Sequence, residues 1–375
     1  MDSRFVQLCL FVALSTMALA AEAPDAGDTA KTLERIRKKY SFPGLAVVVV
    51  KDGIICDRAA VGVRKLGDPT LLTTNDQFHL GSCTKSMTAT VAAMFIEDGK
   101  LRWDTTISEV FPELKGKMDK RYESVTVQQL LTHRGGVPGK PPAAAWARAW
   151  QEQGTPTEQR YEFIQAVLAK PPEATPGSKY IYSNQGYAIV GAMLEKLSGK
   201  PYETLMTERL FKALHMDSAG FGPPGTKGKV DQPWGHARRL LVTVPLQGDN
   251  PPAIAPAGRV HCSLDDLAAY AICHMQGERV GGLLKAETFR KLHTPAPRNS
   301  DDDETYGCGW VCVDRGWAGG PALMHNGSNT MWYVVMWLAP KKDFAVIAAT
   351  NTGVGDTFTG CDDVASAMIK KWLPE

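Results

Sequence analysis

Apolar and polar positions alternate along this chain in two different rhythms. Leu45 to Val50 is a β-branched run, and Ile54-Ile55-Cys56 resumes it after Asp52-Gly53, a strong two-residue hairpin signal. Two antiparallel strands over about 44–51 and 54–63 follow from that pattern. Upstream, Leu33, Ile36 and Tyr40 recur at helical spacing among charges, predicting an amphipathic helix over 29–40 that Pro43-Gly44 ends. After an extended piece at Gln77-Phe78-His79-Leu80, residues 82–97 carry Met87, Val91, Met94 and Phe95 and close at Asp98-Gly99, as a largely buried helix would. Helical patterns then dominate, over 126–132, 157–169, 184–197, 202–214 and 263–275, with Pro- and Gly-rich connections between them. The last opens on Ser263-Leu264-Asp265-Asp266, a capping-box-like start. From about residue 306 the rhythm returns to strands, over 307–313, 322–326, 331–338 and 344–350, and a helix over 363–372 ends the chain.

Two strands at one end, three or four at the other and helices between predict an α+β fold. One antiparallel sheet is built from both chain ends and flanked by helices, with a mainly helical subdomain inserted. The expected domain is 29–375, its sheet part about 29–80 and 290–375 and its helical part about 81–289. Residue 82 then lies at the seam between the parts, where pockets tend to form.

Composition changes this picture little. The chain has 375 residues, 44% hydrophobic and 22% charged, with 42 basic against 40 acidic residues, so nothing in its charge calls for a nucleic-acid partner. The run Asp301-Asp302-Asp303-Glu304 reads as a solvated loop. Residues 5–20 are mostly apolar and end in Ala18-Leu19-Ala20, a small-x-small cleavage pattern. Residues 1–20 are therefore expected to be a signal peptide and 21–28 a linker, with the mature protein exported to the periplasm or beyond. No other stretch approaches membrane-spanning length. Seven cysteines remain after the leader, an odd number without zinc-ligand spacing, and read mainly as small buried hydrophobes.

Three stretches carry candidate chemistry. Gly81-Ser82-Cys83-Thr84-Lys85 sets a hydroxyl and an amine three residues apart, neighbours on one face if a helix starts there. That is a nucleophile beside a base, or else an N-capping Ser followed by a solvated Lys. Tyr182-Ser183-Asn184, after the turn at Pro176-Gly177, puts a phenol and a carboxamide one residue apart; a packed aromatic and a helix cap would look the same. His325-Asn326-Gly327-Ser328 ends a predicted strand, where Gly327 admits close backbone approach and the Ser328 N–H can serve an oxyanion; an ordinary strand end is the bland alternative.

Taken together and in this order, Ser-x-x-Lys, Tyr-x-Asn and His-x-Gly resemble the active-site set of the serine β-lactamase and penicillin-binding superfamily. The likeness extends to Phe78 through Ser86, Gln129 through Pro138, Pro176 through Tyr202, Tyr306-Gly307-Cys308-Gly309-Trp310 and Ala349-Thr350-Asn351. Tyr-x-Asn in place of Ser-Asp-Asn is similar to the branch of class C β-lactamases, D-Ala-D-Ala carboxypeptidases and esterases. By that resemblance Ser82 is the acylated nucleophile, and Lys85 and Tyr182 share base and acid duties. Asn184 would orient Lys85 and the substrate amide, and the N–H groups of Ser82 and Ser328 would form the oxyanion hole beside Gly327. His325 departs from the usual Lys of that strand and offers no permanent cation at neutral pH. The resemblance therefore implies a serine hydrolase acting on a small-molecule or peptide ester or amide, with β-lactam turnover weak or absent and no cofactor. A true class C-like β-lactamase and a non-catalytic binding protein of the same fold are the alternatives. A metal-dependent hydrolase finds little support, because His133, His215, His236, His261 and His325 are scattered without ligand spacing. Oligomeric state has no sequence signal.

Overall fold

Side-chain alternation sorts the central sheet into two faces. In the computed structural model, which describes residues 26–297 and 305–374, strands β1 (Gly44–Lys51), β2 (Ile54–Gly62), β3 (Val311–Arg315), β4 (Gly320–Ser328), β5 (Tyr333–Ala339) and β6 (Phe344–Thr350) form one sheet. The strand order is β2-β1-β6-β5-β4-β3, antiparallel throughout, so both chain ends build it. Ala46, Val48 and Val50 pack with Met336, Leu338 and Ile347 against the helical insertion. Leu45, Val47 and Val49 pack with Val335, Trp337 and Val346 on the other face, against α1 (Ala26–Tyr40) and the C-terminal helix (Thr357–Trp372), through Leu33, Ile36, Val364 and Met368. A sheet with both faces covered accounts for the unbroken apolar run in β1. The hairpin between β1 and β2 turns on Asp52 (φ +53°) and Gly53 (φ +75°), the paired positive φ values that an Asp-Gly turn supplies. The expected signal peptide, most of the expected linker and the acidic run 301–304 lie outside the described residues.

Element boundaries depart from the sequence reading in places with local physical causes. Helix α1 begins at Ala26, inside the expected linker. Residues 307–310 are not a strand: Gly309 has φ +81° and lies against the backbone of Ser86, where a Cβ would meet the Ser86 Cα at 2.5 Å. This stretch is a plug against α2 (Thr84–Glu97), and β3 starts only at Val311. The pattern over 202–214 splits into an α-helix, Tyr202–Met206, and a π-turn, Thr207–Phe211. The expected extended piece is a strand, Gln77–His79, in a three-stranded sheet with Val260–Ser263 and Gly220–Phe221; those two strands and a hairpin (Gly235–Arg239 with Val242–Leu246) were not foreseen, being too short for a periodic signal. All seven cysteines of the described residues are free, and no helix among these residues is long and apolar enough to cross a membrane.

Helix α2 is buried almost all round, which is why its apolar residues show so weak a stripe. It packs against α4 (Asn184–Ser198) and the turn Ala255–Gly258, and α4 packs in turn on α3 (Pro156–Leu168); the relative position of these two helices depends on one cation. Arg160 on α3 is fully buried; it pairs with Glu195 on α4, reaches Glu203 at 2.6 Å and donates to the Pro252 carbonyl at 3.2 Å. Replacing it leaves two carboxylates in the interior without their counter-charge. Arg160→Leu is expected to cost about 3–5 kcal/mol of stability, read as a lowered midpoint in urea unfolding; a shift below about 1 kcal/mol would put the pair among surface-like bridges.

Candidate active site

The nucleophile candidate does not cap a helix. Ser82 sits in a single 3-10 turn, Gly81–Cys83, with no side-chain cap bond, and the α-helix proper starts at Thr84. This turn packs on the end of β4. Beyond Met324 the strand has no partner on its β3 side, since β3 begins at Val311 opposite that residue, and residues 325–328 pair only with β5. The turn fills the gap. A Cβ on Gly327 would lie 2.0 Å from the Leu80 carbonyl oxygen and 2.5 Å from the Ser82 nitrogen, and one on Gly81 (φ +49°) would lie 2.3 Å from the Ser328 nitrogen. Only paired glycines allow the backbones so close, and their approach brings the amides of Ser82 and Ser328 to one place.

Lys85 is fully buried one helical turn on. Its Nζ lies 2.9 Å from Ser82 Oγ and donates to the Ala257 carbonyl at 2.8 Å. Burial holds its pKa well below the ordinary lysine value. With one N–H given to Ala257, burial favours the form of the amine whose lone pair can face the Ser82 O–H. Tyr182 stands over this pair, its ring centroid 4.7 Å from Lys85 Nζ. The ring is 37% exposed, but its hydroxyl end lies in the packed site. Desolvation there raises the Tyr182 pKa, against a smaller opposing effect of its hydrogen bond with Ser82, so the phenol keeps its proton.

The Tyr182 loop is held from behind by the residues after Leu131. Ile181 N–H donates to the His133 carbonyl at 2.8 Å, and Ser183 N–H to His133 Nδ1 at 3.1 Å. His133 is itself in the left-handed region at φ +58°, and its ring lies 4.4 Å from that of Tyr182 and 4.7 Å from that of Tyr306. Ser183, between the two candidate residues, caps α4 by accepting from the Gly186 N–H. Asn184 is the first residue of that helix and half-buried, but it makes no hydrogen bond with Lys85. Lys85 donates instead to the carbonyl of Ala257, next to Pro256, whose ring lies against Gly191 of α4. Nothing in a sequence marks a backbone carbonyl as a site group.

His325 lies on β4 opposite Met336 and is buried. Its Nδ1 is 2.6 Å from the Asn326 carbonyl, so Nδ1 carries the proton, and Nε2 accepts from the Tyr306 hydroxyl at 2.9 Å. Burial first, and the nearby Lys85 second, lower its pKa to about 3. Both nitrogens are thus engaged with the protein and the ring is neutral. Ser328 is exposed; its hydroxyl donates to the Trp332 carbonyl at 2.7 Å and accepts from the Thr330 N–H, shaping the turn after β4. Beyond that turn a cleft of about 770 Å³ runs between Thr330, Met331, Gly248, Asp249, Trp150 and the hairpin residues Arg238 and Arg239. Among the described residues no group of three or more His, Cys, Asp or Glu side chains is arranged to hold a metal ion.

The structure therefore brings Ser82, Lys85, Tyr182, Gly327 and the Ser328 amide together, leaves Asn184 at the edge and turns His325 inward. The sequence reading missed Ala257, and also His79, Asp249 and Asn250 behind the nucleophile turn. Of these only His79 stood within a stretch already singled out.

Known proteins share this arrangement of the chain. The Beta-lactamase family model matches residues 29–365. Penicillin-binding protein 4 of Amycolatopsis lactamdurans is 25% identical over 335 residues, covering 87% of this chain and 85% of its own. An N-acetylmuramyl-L-alanine amidase of Bacillus subtilis is 25% identical over 347 residues, covering 83% and 77%. Among solved structures, the octameric penicillin-binding protein homologue from Pyrococcus abyssi superposes with a TM-score of 0.75 at 24% identity, over 93% of this chain and 79% of that one. A D-stereospecific amidohydrolase from Streptomyces sp. gives 0.71 at 21%, over 92% and 98%. With the match spanning nearly all of the described residues, this chain belongs to the Beta-lactamase family, as a hydrolase of its serine β-lactamase and penicillin-binding type.

Proposed function

We propose that the protein hydrolyses an ester, amide or peptide through an acyl-enzyme on Ser82, with Lys85 as the base and Tyr182 as the proton donor. The observation that carries this reading is the buried Lys85 amine 2.9 Å from Ser82 Oγ, its pKa pushed down by burial. Ser82 Oγ attacks the substrate carbonyl carbon while its proton passes to Lys85 Nζ. The developing oxyanion takes hydrogen bonds from the Ser82 and Ser328 amides, a contribution on the order of 10²–10³ in rate for each donor. As the C–N or C–O bond breaks, the leaving atom takes the Tyr182 proton and Tyr182 is reprotonated by the Lys85 ammonium. Water repeats the sequence on the acyl-enzyme and releases Ser82. The opposite directions in which burial moves the two groups support this division of labour: burial favours the amine without its proton and the phenol with its own. Asn184, at the mouth beside Tyr182, is read as a contact for the substrate amide.

Substrate choice follows from charge. A β-lactam or a D-Ala-D-Ala peptide presents a carboxylate, and the position that would meet it with a cation here holds a neutral, internally bonded His325. That supports simple esters and amides as better substrates than β-lactams. The relatives named as amidase and amidohydrolase are consistent with amide cleavage, and the one named as a penicillin-binding protein keeps acylation by penicillin within reach. The apolar leader supports action outside the cytoplasm.

Three outcomes are expected. A fluorophosphonate probe should add one equivalent of mass to the wild type and none to Ser82→Ala; an unlabelled wild type rules out the nucleophile. Turnover of an aryl ester should exceed that of a chromogenic cephalosporin by a wide margin, and the reverse order would overturn the substrate reading. The third concerns His325, which binds a proton in the folded state only near pH 3, whereas in the unfolded chain it does so near 6.5. Unfolding in that window takes up a proton, so the contribution is fully present above about pH 6.5 and is lost as pH falls toward 3. His325→Gln should flatten the rise of stability between pH 4 and 6.5 by up to about 1.4 kcal/mol per pH unit, and an unchanged slope in urea titrations would mean that His325 is not held neutral.

A further inference from the structure

The segment Gly248-Asp249-Asn250 sends a hydrogen bond toward each part of the site. Asp249 Oδ1 accepts from His79 Nε2 at 2.7 Å, and His79 Nδ1 in turn accepts from the Gly81 N–H at 3.1 Å, beside Ser82. That second bond places the histidine proton on Nε2, facing the carboxylate. The other carboxylate oxygen, Oδ2, accepts from Arg259 Nε at 2.7 Å. The next residue, Asn250, donates from Nδ2 to the Gly258 carbonyl at 2.8 Å, one residue from the Ala257 carbonyl that holds Lys85. Its backbone N–H donates to Asp249 Oδ1 at 2.6 Å, which fixes the carboxylate against the backbone of the next residue. The Gly248 carbonyl receives a longer bond, 3.4 Å, from Asn329 next to Ser328. A Cβ on Gly258 would come within 3.3 Å of the Gly81 carbonyl carbon, so the two branches converge behind the nucleophile.

This is an expensive way to tie down a loop. The Asp249 side chain is 6% exposed and that of His79 is wholly buried, and desolvating such a pair gives back little net stability. What the arrangement supplies is direction. Gly81, at φ +49°, has no side chain to hold it, and the His79 bond pins its amide in the turn that aims Ser82.

We propose that Asp249 and Asn250 are positioning residues for acylation: Asp249 acts through His79 on the Ser82 turn, and Asn250 acts through Gly258 on the carbonyl that anchors Lys85. The strap holds hydroxyl and amine at bonding distance from two adjacent residues, and it also walls the cleft that leads away from Ser328. The proposal rests on the reading of Ser82 and Lys85 as nucleophile and base.

The test compares the full-length wild type with Asp249→Ala, Asp249→Asn and Asn250→Ala. Asp249→Ala should lower kcat for an aryl ester, and the rate of fluorophosphonate labelling, on the order of 10²-fold with KM little changed. Asp249→Asn should recover most of the loss, since its Oδ1 still accepts from His79. Hydrogen exchange, read by mass spectrometry on a peptide containing Gly81, should speed up in Asp249→Ala and not in Asn250→Ala, while Asn250→Ala still slows labelling. A folded Asp249→Ala with wild-type kcat, or with unchanged exchange at Gly81, overturns the proposal. If Asp249→Ala does not fold, Asn250→Ala decides: wild-type labelling there overturns it. A wild type that takes no label defeats the Ser82 reading instead, and the exchange measurement still reports on the strap.

Discussion

An amine buried without a counter-charge is the constraint on which the rest of this structure depends. Lys85 has no carboxylate beside it; its partners are a serine hydroxyl and a backbone carbonyl. Taking a charged ammonium into that setting would cost several kcal/mol, and burial accordingly holds its pKa well below the ordinary lysine value. The helix that carries it is buried nearly all round and packs against α4 and the plug at Gly309. Every neighbour that excludes water from α2 therefore also tunes the amine proposed as the base.

The second requirement is backbone proximity. An oxyanion site made of two amides needs two chain segments, far apart in sequence, to touch without side chains between them. The free edge of β4 provides one and the 3-10 turn the other, and Gly81 and Gly327 remove the atoms that would hold them apart. Because the turn is anchored from behind by His79 and Asp249, the approach is set by hydrogen bonds as well as by sterics.

Charge then narrows the chemistry. With His325 held neutral, its position offers no cation to greet a carboxylate, and Arg259 is engaged with Asp249. The same His that distinguishes this chain in sequence is a structural member of its core, held between Tyr306 and its own strand.

The sequence by itself determined most of the longer elements and singled out the candidate reacting groups. Periodicity located both ends of the sheet, the Asp-Gly hairpin and the buried helix, because a strand with two covered faces and a helix with no exposed face each leave an apolar run that needs no partner to be read. Ser82, Lys85, Tyr182 and Gly327 were legible because their chemistry resides in side chains, or in the lack of one, at recognisable spacing. Only the tertiary structure decided the protonation states and the partners. Whether Lys85 or Tyr182 is poised to accept a proton depends on burial, which is a property of the surroundings. That Lys85 leans on Ala257 and not on Asn184 depends on a carbonyl, which every residue has. That His325 turns inward, and that Asp249 reaches His79 from some 170 residues away in the chain, depends on long-range packing that no local pattern records.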